Sequence, residues 1–561
     1  MLRLPLFSIF LFLAACGGES PDVAQPNGRS ERPNILLIVV DDMGFSDLGS
    51  FGGEIETPNL DRLAFEGIRF TNFHTATACS PSRAMLLTGV DSHLAGMGNM
   101  LEELAPNQIG QPGYEGFLND RVVTLPTLLS DAGYRTFMTG KWHLGSGVGK
   151  GAAYRGFQRS FVLDSGGASH FSDMQPAYAP TPDKKADYSE DGVSLQSLPD
   201  DFEYSTEYYV DRMIEYLSDD SEPEQPFFGY LAFTAPHWPL QAPDDAIARQ
   251  AGRYDAGYDA IADARLERLK KLNLVPTDAV RSVRSPKENP WDKLTSEQQK
   301  IEARAMEVYA AMIDEIDRHT GRLIDYLEKS GKLENTVVLF ISDNGPEGHD
   351  LDETWSMELF PDIRKTIDAT HDFSYAEMGR PGSYLLYGPN WANAGSPAFR
   401  LHKAFPTEGG TRVAAFLRYP ALVKEPAIVN DFVFIKDVTP TILEIAGVRH
   451  PGGQYQGRPV EPATGESFMS ILQGKRGLAS DRVTGIELFG KRAIRAGHWK
   501  LIHMPEPYGN GEWQLFDISN DLGETRDLAG KNPEKVDEMI GYWKAYAKEN
   551  NVILPDWVSG Y

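Results

Sequence analysis

Residues 34–42 read Asn-Ile-Leu-Leu-Ile-Val-Val-Asp-Asp, NILLIVVDD. The apolar residues 35–40, several of them β-branched, show no alternation between a wet and a dry face, which marks a strand buried on both faces of a parallel sheet. The run stops at two adjacent carboxylates, Asp41 and Asp42. Open α/β sheets hold their ligands at the carboxyl ends of their strands, and paired acids there suit a hard cation. Read alone, the pair serves equally as a turn or a helix cap. A second run of the same kind, TVVLFIS at 336–342, stops at Asp343, Asn344 and Gly345. Two buried strands far apart in the chain and tipped by the same chemistry point to one shared cation site rather than two unrelated caps.

The 561 residues are 41% hydrophobic and 24% charged, an ordinary balance for a globular chain long enough for a large domain and a smaller one. A formal charge of −26 argues against a nucleic-acid partner, and it requires any anionic substrate to find a local positive pocket. At the N-terminus, Arg3 precedes an apolar stretch over 4–15 that is too short to span a bilayer. Leu13, Ala14, Ala15 and Cys16 have the form of a bacterial lipobox. The expectation is a lipoprotein signal peptide over 1–15, lipidation of Cys16, and a flexible tether over 16–32. That address is an exported, periplasmic or cell-surface lipoprotein anchored to the outer membrane. It leaves Cys79 without a disulfide partner.

Cys79 stands in HTATACSPSRAMLLTG, 74–89. A helix beginning there offers unpaired backbone N–H groups, and Arg83 follows one turn later, so an anionic thiolate is one reading and a small buried hydrophobe the other. Further on, a helix over 122–132 and a strand over 134–138 lead into GKWHLG, 140–145, which places Lys141 and His143 on a glycine-flanked loop. A solvated lysine beside a hydrogen-bonded histidine is the bland reading of that pair. The strand PFFGYLAFT, 226–234, runs into Ala235-Pro236-His237-Trp238-Pro239, where two prolines hold the imidazole on a rigid turn suited to an acid or base.

Residues 57–67 predict a helix capped by Thr57 or Asn59, and 68–73 a strand. Residues 244–300 are charged and mostly helical, placed outside and without a catalytic signal, and 296–330 predicts a long amphipathic helix. The segments 164–205 and 346–382 are read as loops, the second, with His349 and His371, as a lid over substrate entry. Lys403 and Glu408-Gly409-Gly410 precede a strand at 413–418. Beyond 449, short strands and a helix near 533–548 predict a small antiparallel sheet with a helix laid on it.

CSPSRAMLLTG matches the C-x-P-S-R and Leu-x-Thr-Gly signature of the formylglycine-dependent sulfatases, and GKWHLG is similar to that family's second signature. The resemblance runs from Pro33 to the C-terminal helix through NILLIVVDDMG, APHWPLQAP, LFISDNG and WQLFDISNDLGETRDLA, and it is nearest to bacterial arylsulfatases. It implies an alkaline phosphatase-like α/β fold, with a large mixed, mostly parallel sheet sandwiched by helices over 33–448 and a smaller antiparallel subdomain over 449–561. It implies that a formylglycine-generating enzyme oxidises Cys79. It also implies that Asp41, Asp42, Asp343, Asn344 and an oxygen of residue 79 bind one Ca²⁺, in preference to Mg²⁺. In the same family roles Arg83 and Lys141 hold the aldehyde hydrate, His143 is the base that collapses it, and His237 and Lys403 contact the sulfate ester and help protonate its leaving oxygen.

Elementary chemistry agrees with that set. A sulfate monoester carries one negative charge that repels nucleophiles, so a divalent ion with Lys and Arg must neutralise it. Oxygen ligands favour Ca²⁺ or Mg²⁺ over Zn²⁺. One hydroxyl of an aldehyde hydrate attacks sulfur and expels the alcohol. Deprotonating the other hydroxyl then ejects sulfate without a second attack at sulfur, a step that suits an imidazole. The expected reaction is hydrolysis of aryl sulfates, sulfated natural products or glycans. Two rivals are a phosphonate monoester or phosphodiester hydrolase using the same site, and a catalytically silent lipid-anchored binding protein. The second gives no physical reason for Lys141, His143, His237 and Lys403 together.

Overall fold

The structure, a computed structural model, describes residues 32–219, 225–475, 477–478 and 481–557. The expected signal peptide, Cys16 and nearly all of the tether lie outside the described residues. No described helix is long and apolar enough to cross a membrane.

The main sheet is built, in chain order, from β1 (Asn34–Val40), β2 (Ile68–Phe70), β3 (Arg135–Lys141), β4 (Arg159–Leu163), β5 (Tyr188–Glu190), β6 (Val193–Ser194), β7 (Phe227–Ala232), β8 (Thr336–Ser342), β9 (Ala415–Arg418) and β10 (Ala427–Val429). Across the sheet the order is β10-β2-β9-β8-β1-β7-β3-β4-β5-β6. The central strands β8, β1, β7, β3 and β4 are all parallel. Antiparallel pairs occur towards the edges, where β9 lies between β8 and β2 and a β5–β6 hairpin follows β4. The fold is therefore the mixed, mostly parallel one expected.

The continuous apolar run of β1 has a direct structural cause. Leu36, Ile38 and Val40 enter one core and Ile35, Leu37 and Val39 the other, so both faces are covered. The first core is filled by the long helix Ser296–Lys329 through Met306, Tyr309, Met312 and Ile316, and the second by the helix Cys79–Thr88 through Ala84, Met85 and Leu87. A capping box between Thr295 and Gln298 starts the long helix.

Several expectations are corrected. Thr57 occupies the N-cap of Pro58–Glu66, but its hydroxyl accepts a hydrogen bond from Gly49 N at 2.9 Å instead of capping the helix, and Asn59 is spent on Asp317. The strand expected over 68–73 stops at Phe70. β3 runs through Lys141, so the lysine stands on a strand rather than a loop. This is possible because Gly140 adopts φ +107° with its would-be Cβ only 1.8 Å from the Ala232 carbonyl oxygen. The lid segment is not plain loop, since it holds helices Leu351–Thr354 and Pro361–Thr370. Within 244–300, the helix Gly257–Lys271 sends Arg265 into the interior, where it pairs with Asp47 at 2.5 Å and Glu54 at 2.7 Å.

At the C-terminal end, β11 (Val483–Leu488), β12 (Lys491–Ala496), β13 (Trp499–His503) and β14 (Trp513–Asp517) form an antiparallel meander. The helix Pro533–Glu549 lies on it, packing Met539 and Trp543 against Ile494, Leu501 and Leu515.

Candidate active site

The register of the central strands builds the site. Val40 of β1 sits opposite Ser342 of β8, and Asp343 N donates to the Val40 carbonyl at 3.0 Å, so both acidic tips leave the sheet side by side. Asp42 turns with φ +69°, a left-handed conformation that Asp tolerates better than most residues. Asn344 Nδ2 donates to Asp42 Oδ1 at 2.6 Å. Cys79 is the first residue of its helix, and its thiol donates to Asp41 Oδ1 at 3.2 Å. Asp41, Asp42, Asp343 and Cys79 form one buried cluster with metal-ligand spacing.

Cations ring these acids. Lys141 Nζ lies 2.5 Å from Asp41 Oδ2, and Arg83 donates through Nε to Asp343 Oδ2 at 2.8 Å and through Nη1 to the Lys141 carbonyl at 2.6 Å. Lys403 Nζ is shared between Asp42 Oδ2 at 2.9 Å and Glu347 Oε2 at 3.2 Å. Four carboxylates thus face three cations, one negative charge in excess when all four are ionised. Burial, reinforced by the neighbouring acids, pushes Asp42 up to about 7 and Asp343 up to about 6, despite Lys403 and Arg83. Asp41 goes the other way: burial penalises its charge, but Lys141, His237 and Arg83 hold it well below the usual carboxylate range.

The histidines complete the cavity that Cys79, His143, His237 and Lys403 line together. His237 sits between two cis X-Pro bonds, and its Nδ1 donates to the Trp238 carbonyl at 2.5 Å, which leaves Nε2, 3.6 Å from Asp42 Oδ2, as the nitrogen on the site side. His143, at φ +54°, bonds Glu102 Oε1 through Nε2 at 3.2 Å. A carboxylate only accepts, so the proton is on Nε2, and Nδ1 is buried with no hydrogen-bond partner. Every catalytic and metal-binding residue expected from the sequence is therefore in, or on the edge of, one assembly.

The family model for sulfatases matches residues 33–448. The chain belongs to the sulfatase family. This sulfatase is 44% identical to an uncharacterized sulfatase of Schizosaccharomyces pombe, across 94% of this chain and 96% of that one. It is 40% identical to an arylsulfatase of Klebsiella aerogenes, across 80% of this chain and 93% of that one. Its fold matches the crystal structure of Ps i-CgsB in complex with k-i-k-neocarrahexaose with a TM-score of 0.65 at 22% identity, covering 94% and 95% of the two chains. This sulfatase is a sulfuric ester hydrolase.

Reading the sequence missed two acids of the sulfatase site. Glu102 accepts from His143 and, at 3.0 Å, from Tyr178 Oη; burial opposes its charge, yet the imidazole and these hydrogen bonds bring it down to about 2. Glu347 is the second carboxylate on Lys403. Its only sequence signal is its place next to the acid-tipped strand end, and Glu102 has none beyond lying in an acid pair within an apolar stretch. The thiolate reading of Cys79 is also corrected. Burial and the neighbouring Asp41 push the thiol well above its ordinary value, so as plain cysteine it stays protonated.

Proposed function

We propose that this sulfatase hydrolyses aryl sulfate monoesters with a formylglycine made from Cys79 and one Ca²⁺ held by Asp41, Asp42, Asp343 and Asn344. The observation that carries the reading is an all-oxygen cluster against the Cys79 side chain in which Asn344 Oδ1 is buried without a hydrogen-bond partner. Such an atom costs free energy unless something binds it, and three carboxylates with one amide oxygen suit Ca²⁺. A divalent ion also turns the local charge from one negative in excess to one positive, which matches the single charge of a sulfate monoester. When present, Ca²⁺ supplies Lewis-acid stabilisation of the sulfate oxygens and the formylglycine hydrate supplies the attacking hydroxyl.

The chain's own side chains do the rest. Arg83, fixed by Asp343 and the Lys141 carbonyl, and Lys141 itself place positive charge beside residue 79. Lys403 brings an ammonium that can protonate the departing phenolate, with His237 Nε2 beside it. His143, its Nε2–H committed to Glu102, keeps the Nδ1 lone pair for taking a proton at residue 79. The preference for an aryl group is supported by the aromatic wall of the cavity, Tyr178, Trp238 and Trp355, the last contributed by the lid segment. A flat apolar leaving group fits such a wall.

Mass analysis of the peptide carrying residue 79, paired with turnover of 4-nitrophenyl sulfate and of a phosphodiester analogue, tests the reading. Aldehyde at residue 79 and dominant sulfate-ester turnover are expected. An unmodified thiol in fully active protein, or dominance of the phosphodiester, overturns it.

A further inference from the structure

Two buried histidines, His349 and His402, are not used by the reaction, and they stand beside Glu347, the carboxylate that the site shares through Lys403. Glu347, His349 and His402 are all buried, and one donor atom from each lies within 4.8 Å of the others. His349 Nδ1 is 2.8 Å from Glu347 Oε1, and the two imidazoles meet edge to face with centroids 4.8 Å apart at 85°. Gly348 makes this approach possible, because a Cβ there would come within 2.4 Å of His402 Cδ2. His402 Nδ1 is buried with no hydrogen-bond partner, a cost that nothing in sulfate-ester chemistry repays.

We propose that Glu347, His349 and His402 form a second cation site, for a borderline transition ion such as Zn²⁺, with one position left for water. Two imidazoles and one carboxylate make a three-ligand set that suits a tetrahedral ion, and nitrogen donors discriminate against Ca²⁺. A tetrahedral ion draws its donors to roughly 3.3 Å of one another, so binding closes the set by side-chain rotation. The site is also linked to its neighbour through Glu347. A cation that takes this carboxylate removes one of the two acids that hold Lys403 and leaves Asp42 as the other.

The test uses full-length, Ca²⁺-saturated protein carrying Cys16→Ala and Cys79→Ala, so that no thiol competes. Titration with Co²⁺ should give one equivalent with the strong visible absorption of a four-coordinate, nitrogen-ligated ion, displaced by Zn²⁺. His402→Ala and His349→Ala should each weaken it more than about tenfold. Absence of that band in the parent protein, or affinity unchanged from the parent in the histidine variants, overturns the proposal. If His402→Ala does not fold, His402→Gln replaces it with the same expectation, and the parent titration alone still decides.

Discussion

Two clusters of buried charge in this sulfatase use the same residue types to opposite ends. At the junction with the C-terminal sheet, Glu408 accepts from Lys500 Nζ at 2.8 Å and from Arg412 Nε at 2.7 Å, and Lys500 also lies 2.8 Å from Glu524. Glu524 in turn accepts from Glu408 N at 3.1 Å. Burial opposes the charge of Glu408, yet Lys500 and Arg412 hold it well below the usual range. Each cluster holds one acid pulled down, Glu408 or Asp41, and acids that burial pushes up, Glu524 at the junction and Asp42 and Asp343 at the strand tips; the tips differ in that Asn344 Oδ1 and His143 Nδ1 have no hydrogen-bond partner. The junction is closed on itself and the strand tips are open to something else. Residue type does not separate structure from function here; unspent bonding capacity does.

The contrast can be broken at either end. Cys79→Ala should lower 4-nitrophenyl sulfate turnover by about 10⁴-fold or more while leaving the melting temperature close to that of the parent. A large fall in melting temperature would show that the thiol belongs to the packing. Chelating Ca²⁺ should come next, removing several kcal/mol of transition-state stabilisation and lowering the melting temperature, since an acid cluster without its cation repels itself. Calorimetry with and without chelator checks this, and an unchanged melt would argue for a closed cluster like the junction.

Lys500→Met should do the reverse. It leaves Glu408 and Glu524 buried without their shared cation, at a cost of about 3–5 kcal/mol in denaturant melts, with KM unchanged at permissive temperature. A second closed pairing at the same interface titrates. Burial alone would lower the pKa of His93, but its hydrogen bonds to Asp91 and Glu487 push it up to about 9. Because the folded value lies above the ordinary one, the stabilisation is complete below roughly pH 6.5 and is lost as pH rises through about 9, an amount of about 3 kcal/mol. His93→Gln should flatten stability against pH over that window. Smallest is Glu102→Gln, which keeps the shape but removes the charge that orients His143. A drop of about 10- to 100-fold in kcat with little change in KM is expected, and a pure KM effect would contradict the orienting role.

Much of this was legible before any coordinates. A strand buried on both faces announces itself as an unbroken apolar run, so β1 and β8 and their acidic tips could be read directly, and those tips needed only the register of the two strands to meet. What escaped shares one physical cause. Glu102 with His143, Glu408 with Lys500, and Arg265 with Asp47 are polar pairs between distant segments, and such pairs leave no periodicity. Arg265 even sits on a helix whose charged composition reads as solvent-facing. Lys141 reads as a loop residue because it lies between glycines, whereas Gly140 serves a close strand contact.

The burial of Cys79 sets a schedule as well as an environment. The side chain is 1% exposed, and the strand that brings Asp343 to it is made far later in the chain. If Cys79 is oxidised as proposed, the oxidising enzyme would have to reach it before β1 and β8 pair, an interval of roughly tens of seconds at ordinary rates of synthesis. Folding and maturation therefore compete for the same molecule. Under the proposed formylglycine mechanism, a chain that folds too soon would be lost to catalysis while remaining, by every measure of stability, intact.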